Sequence, residues 1–368
     1  MNRMLALVAA SLMAMTALTA AEAKELRYNL FVPANTIEAK ELDAFFKEVK
    51  EKTGGSLTGK VFPGGQLLTG PASLKGVGDG VADVGFVAPQ FSPGELPHTN
   101  TMPDMVAFTV DPMATMSAAN EVIMTQCPEC TKEWADRNLV FLGGHTGTPW
   151  ELMCTKPAAT VGDLKGRKVR VPGGAATRLA EALGLVGVNM TPTEAAQGLA
   201  GGQIDCVVGA TSWMRDYSFW DSAKSVINAD LGLSAGLGTF VFNIKSWKGL
   251  SQKEQQVLMD LIPKYVTLMT QDYINREAEV RKQAEAKGVT FTKPDPTTAA
   301  AIAKYRKTDI PNIAAQLKKR GVKNPNRIID AYNESLAKWK KYYDQHGRSP
   351  EVVAKAMREQ IWAKTKLP

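Results

Sequence analysis

The segment from Asp163 to Asp205 constrains the fold more than any other part of the chain. It opens with a short extended run, Lys168-Val169-Arg170-Val171, which Pro172 and two glycines end. Apolar residues at Leu179 and Leu183 predict a helix, and a second extended piece is expected from Val188 to Thr191. Thr191-Pro192-Thr193-Glu194 is a capped helix start with a stop near Gly201-Gly202, and Gln203 to Val208 reads as a third strand. The order β-α-β-α-β is half of an open α/β sheet, in which ligands gather where strands end. Inside it, Arg170 has apolar immediate neighbours. A guanidinium there requires an anion, either a ligand or a structural carboxylate such as Asp205 or Glu194.

The first hundred residues repeat the pattern. Leu26 to Val32 reads as a strand, and Pro33-Ala34-Asn35-Thr36 as the loop capping a helix with apolar residues at Leu42, Phe45, Phe46 and Val49. Gly54 stops that helix; Leu57 to Phe62, a short helix from Ala72 and the strand Ala82 to Val87 follow. Two α/β lobes are therefore expected. Thr148 to Thr155 leads into the second, and either Val207 to Ser212 or Gly238 to Asn243 leads back. Ser251-Gln252-Lys253-Glu254 starts a helix expected to run past Arg281, and helices dominate from there to the end.

Asn2-Arg3, the apolar run Met4 to Ala20 and the small-x-small pattern Ala21-Glu22-Ala23 form an export signal, so the mature chain is expected to begin at Lys24 in the periplasm. A retained membrane anchor is the other reading of that run. Four cysteines in an exported chain point to one or two disulfides, with three pairings open. Cys127-Pro128-Glu129-Cys130 has redox spacing but follows a helical stretch (Met116 to Met124) rather than a strand, so a structural local loop is expected. Cys154 and Cys206 lie in predicted strands and are candidates for neighbours.

The net charge is +7, yet from Ala301 onward sixteen Lys plus Arg face six Asp plus Glu. No reader motif accompanies this basic tail, and nucleic acid is not expected as a partner. A solvated helical face explains it, or a surface that meets an acidic patch on a membrane partner. Enzyme chemistry has little to stand on. Three histidines (His98, His145, His346) lack metal-ligand spacing, and there is no G-x-S-x-G elbow or Walker loop. The glycines of Gly76 to Gly80 follow a helix, not a strand, which speaks against a dinucleotide loop. No metal and no cofactor are expected.

Lys168-Val169-Arg170-Val171-Pro172, Thr191-Pro192-Thr193-Glu194 and Gly202-Gln203-Ile204-Asp205 together resemble the solute-binding proteins of tripartite ATP-independent periplasmic (TRAP) transporters, the DctP-type family. Glu51-Lys52-Thr53-Gly54-Gly55 and Pro63-Gly64-Gly65-Gln66-Leu67 resemble that family's turn pair. The resemblance covers nearly the whole mature chain. It implies a two-lobed periplasmic-binding-protein-like α/β fold with a hinge, a long helix spanning both lobes and, here, a helical C-terminal extension. The expected layout is a signal peptide over 1–23, a first lobe over 24–148 with 237–250 returning to it, and a second lobe over 149–236. The spanning helix would take 251–286 and the helical C-terminal region 287–368.

The resemblance also implies a function: capture of a small organic carboxylate and its delivery to TRAP-type membrane permease subunits. Arg170 matches the family arginine that pairs with the ligand carboxylate. Where many relatives place a second arginine, this chain has Trp150. That exchange favours a monocarboxylate with an apolar or aromatic body over a C4-dicarboxylate, the family's commonest ligand. Trp213 follows the third strand of the second lobe; Phe31 and Asn35 stand at one first-lobe strand end, and Phe86 and Gln90 at another. These are candidate ligand contacts, as is His145, for which a solvated loop position is the alternative. Asn243 is expected to be structural or hinge-associated. An exported enzyme using the interlobe cleft is the competing class.

Overall fold

The computed structural model describes residues 23–367. The export signal expected over 1–23 falls outside them save for its last residue. The strands of the N-terminal part are β1 (Lys24–Asn29), β2 (Leu57–Phe62), β3 (Val84–Val87) and β4 (Leu139–Phe141). Then come β5 (Glu151–Cys154), β6 (Lys168–Val171), β7 (Val186–Asn189), β8 (Cys206–Gly209), β9 (Ser225–Ile227), β10 (Gly238–Asn243) and β11 (Thr290–Thr292). They form two mixed sheets, in the orders β2-β1-β3-β10-β4 and β11-β9-β5-β8-β6-β7. Of the two segments that could lead back to the first lobe, Gly238–Asn243 does so, pairing antiparallel with both β3 and β4. The fold is the expected two-lobed α/β architecture.

Expected element edges move where local chemistry intervenes. Gln203 to Asp205 is not strand, because Gly202 takes a positive φ of 68° and Gln203 donates its N–H back to Gly198 in a turn. Asp205 then uses its carboxylate to accept the N–H of Lys168 at 2.8 Å, pinning the start of β6. Glu194 closes a capping box with Thr191 at the head of the helix Pro192–Ala200. Both acids proposed as structural partners of Arg170 are thus engaged elsewhere.

Ser251 and Glu254 make the expected capping box of the helix Gln252–Ala286. Its 35 residues reach about 50 Å at 1.5 Å each, enough to run along both lobes. On the first lobe Asp272 takes Lys40 at 2.7 Å, and Tyr265 donates to Glu48 at 2.8 Å. On the second, Glu279 and Arg276 reach Arg215 and Asp216.

The C-terminal helices continue the bracing. Pro296–Lys319 packs on the second-lobe helix Gly174–Ala182, with Arg178 gripping Asp309 through two 2.8 Å hydrogen bonds. Pro325–His346 packs on the first-lobe helix Pro112–Glu121, where the buried indole of Trp339 donates to Glu121 at 2.8 Å. The basic tail turns many of its charges onto the body: Arg320 meets Asp104, Arg327 meets Glu129, Lys338 meets Glu121 and Arg348 meets Asp111.

Both disulfides are local in the fold. Cys154 and Cys206 face one another across antiparallel β5 and β8. Cys127–Cys130 follows a helical stretch as expected, but it opens the helix Pro128–Ala135 instead of lying in a loop, with Pro128 at the first helical position. Both of its cysteines are buried.

Candidate functional site

The ends of β1, β3, β6 and β8 converge on a cavity between the sheets. It holds about 590 Å³ of empty space, its open mouth included. The first lobe contributes Phe31, Glu38, Phe86, Gln90 and Phe91; the second contributes Trp150, Arg170, Pro172, Pro192 and Trp213; Tyr273 comes from the spanning helix. A neighbouring groove shares Gln90, Trp150, Pro172 and Ser234 with it, so these side chains stand between the two.

Arg170 is 1% exposed. Its Nε donates to the Met190 carbonyl at 2.8 Å and one terminal nitrogen to the Val208 carbonyl at 3.2 Å, which fixes the plane of the fork. Trp213 lies under the guanidinium, 5.3 Å from ring centre to Cζ. No carboxylate among the described residues comes within ion-pair distance. Burial pulls the guanidinium down to about 10, partly offset by Tyr217 and Glu194, and leaves it charged at neutral pH. A buried cation without an anion carries a desolvation penalty that a ligand carboxylate would relieve. With Nε already committed, such a carboxylate would meet the terminal nitrogens end-on.

Around this cation the walls are aromatic. Phe31 and Phe86 lie 4.6 Å apart between centroids, and Trp213 meets Tyr217 edge to face at 5.6 Å. Trp150 is buried and lines the cavity. His145 is not a solvated loop residue. It is 2% exposed, with Nδ1 2.6 Å from the Thr239 hydroxyl and Nε2 3.2 Å from Glu38. The Thr239 hydroxyl also accepts the His145 main-chain N–H, so its own proton is free for Nδ1, and Nε2–H then points at Glu38.

Seven of the eight expected contacts are therefore brought to one cavity: Phe31, Phe86, Gln90, His145, Trp150, Arg170 and Trp213. Asn35 is not among its lining residues; its amide donates to the Asp216 carbonyl at 3.1 Å and ties the lobes together beside it. Asn243 is structural, accepting the N–H groups of Lys245 and Ser246 and donating to Val77 and Gly78.

Glu38, Tyr217 and Tyr273 went unremarked in the sequence. Glu38 carried a usable signal: with Leu42, Phe45 and Val49 it occupies the stripe of its helix that faces the core. Burial works to raise its carboxyl. The hydrogen bonds from His145 and from the Tyr273 hydroxyl, the latter at 2.8 Å, hold it below the ordinary range. Asp216, next to it in the interface, is pushed up to about 7 by burial and by the charge of Glu38. Among the described residues no group of three or more His, Cys, Asp or Glu could hold a metal ion.

Residues 28–317 match the bacterial extracellular solute-binding proteins, family 7 (DctP). The extracytoplasmic solute receptor DctP7 of Bordetella pertussis, which binds pyroglutamic acid, superposes with a TM-score of 0.73 at 22% identity, covering 84% of this chain and 100% of its own. A marine-metagenome TRAP solute-binding protein specific for aromatic acids, complexed with 3-hydroxybenzoate, gives 0.75 at 22%, covering 86% and 99%. A TRAP solute-binding protein of Rhodoferax ferrireducens T118 with copurified benzoate gives 0.75 at 20%, covering 87% and 99%. At these identities the structures establish a common fold. The match along most of the chain establishes more: this protein belongs to bacterial extracellular solute-binding protein family 7, the DctP family of TRAP solute receptors.

Proposed function

We propose that this protein is a periplasmic receptor that captures a small organic monocarboxylate with an apolar or aromatic body and delivers it, chemically unchanged, to a TRAP membrane permease. The observation that carries this reading is Arg170, a buried cation without a carboxylate partner, aimed at an aromatic-walled cavity. Ligands of the similar structures, pyroglutamate, 3-hydroxybenzoate and benzoate, are acids of this size and kind. A C4-dicarboxylate fits less well. Arg170 is the sole Lys or Arg among the lining residues, and a second carboxylate would approach Glu38. Support for delivery without turnover comes from the family, whose members are receptors.

The test is a thermal-shift and calorimetric screen of aromatic monoacids, hydroxy and keto acids, and C4-dicarboxylates. A ligand present at a thousand times its Kd stabilises by about 4 kcal/mol, a shift of several degrees. Monoacids should give that shift and remain unaltered on recovery. Tight binding of succinate or malate alone would overturn the specificity, and consumption of the acid would overturn the receptor role.

A further inference from the structure

The cavity is lined by two charged side chains with opposite hydrogen-bonding demands. Arg170, from β6 of the second lobe, presents donors. Glu38, from the first turn of the first-lobe helix Ile37–Lys52, presents an acceptor. They do not pair with one another. Glu38 is 4% exposed, and its Oε1 is fully used, facing the Nε2 of His145 at 3.2 Å and accepting the Tyr273 hydroxyl at 2.8 Å. Its Oε2 is buried and has no hydrogen-bond partner. An ionised carboxylate oxygen left bare in an apolar wall is costly, and the His145 and Tyr273 bonds both favour the ionised form.

Resting on the carboxylate reading above, we propose that Glu38 is a specificity residue: its Oε2 accepts an N–H or O–H that the bound acid carries on the side away from its carboxylate. The ligand class narrows accordingly to small cyclic or aromatic monocarboxylates with a second, neutral hydrogen-bond donor, such as hydroxyaryl acids or lactam acids. Plain aryl acids leave Oε2 bare. Dicarboxylates place like charge against it, with Asp216 close behind. Gln90 also has an unpartnered oxygen in this cavity, but an amide can turn its NH2 inward, so it does not fix the polarity of that wall. A carboxylate locked on Oε1 by two donors has no such freedom. Because the two anchors belong to different lobes, a ligand holding both ties the lobes together, and losing the distal donor weakens closure as well as contact.

The test is isothermal titration with two matched pairs: 3-hydroxybenzoate against benzoate, and pyroglutamate against cyclopentanecarboxylate. In the wild-type protein at least one donor-bearing acid should bind tenfold or more tightly than its donor-free partner. In Glu38→Gln, which keeps an oxygen for His145 and Tyr273 but removes the charge, that gap should shrink at least tenfold. The donor-free acid should not weaken in parallel with its donor-bearing partner, whereas general loss of structure would weaken both alike. If Glu38→Gln does not fold, the wild-type pairs still decide, since the ligand supplies the deletion. Equal binding within both pairs, or a gap unchanged in Glu38→Gln, overturns the role of Glu38 and leaves the carboxylate reading intact. Failure of all four acids to bind the wild-type protein overturns both.

Discussion

A single arginine sets the polarity of this site. Its main-chain partners Met190 and Val208 fix its plane without neutralising it. Arg170→Ala is expected to weaken binding of the preferred acid by about 30-fold to several thousand-fold, because breaking a buried charge pair costs about 2–5 kcal/mol. Arg170→Lys should recover only part of this, since an ammonium cannot present two parallel donors. Titration calorimetry on both variants checks the order. Asp216 makes a second expectation. Its carboxyl has no hydrogen-bond partner and lies beside Glu38, with Arg215 at 3.5 Å and Arg276 at 3.9 Å. It keeps its proton in the fold up to about 7, whereas an unfolded aspartate loses it near about 4. The folded state then holds the extra proton in between, so this contribution to stability is intact below about pH 4 and lost as pH rises through 7. Asp216→Asn should flatten that fall, gaining on the wild type as pH rises over the window. Denaturant unfolding at several pH values measures it, and parallel curves would refute the assignment.

At the scale of elements, the second lobe is a thin sheet held by a covalent staple. Strand β5 sits between β8 and β9 with only four residues, and Cys154 reaches across to Cys206, 52 positions away in sequence. Removing such a link costs about 2–5 kcal/mol. The double substitution Cys154→Ser, Cys206→Ser should lower the melting temperature by several degrees in calorimetry. Acid binding should stay within a few-fold, because the main-chain ladder between β5 and β8 still fixes the end of β8, and the main-chain bonds of Trp150 with Leu231 and Gly232 still fix Trp150. The helices after β11 act as a second brace. Four basic side chains in or beside these helices pair with acids of the first lobe.

For the whole molecule, the decisive fact is that the cavity takes walls from both sheets and from the helix that spans them. A ligand touching all three favours the arrangement in which they meet, by the contacts it makes only there. Small-angle scattering should therefore show a smaller radius of gyration with a saturating monoacid than without it, and no contraction in Arg170→Ala at the same concentration. Identical curves for free and saturated protein would rule out closure driven by the ligand.

Much of this was legible in the sequence because it is local. The β-α-β-α-β order, the capping boxes at Thr191 and Ser251 and the apolar stripe from Leu42 to Val49 depend on spacing and on hydrogen bonds within a few residues. Arg170 stood out for the same reason, as a charge in an apolar strand. Tertiary structure alone decided that Asp205 turns to the main chain of Lys168 instead of to Arg170, and that Gly238–Asn243 rather than β8 returns to the first sheet. It also brought Glu38 into the same cavity as Arg170, although Glu38 reads as an ordinary acid at a helix start. Residues 38, 145, 170 and 273 become neighbours only when two sheets and a long helix pack. Sequence periodicity records which face of an element is buried; what that face is buried against is fixed by packing between elements far apart in the chain.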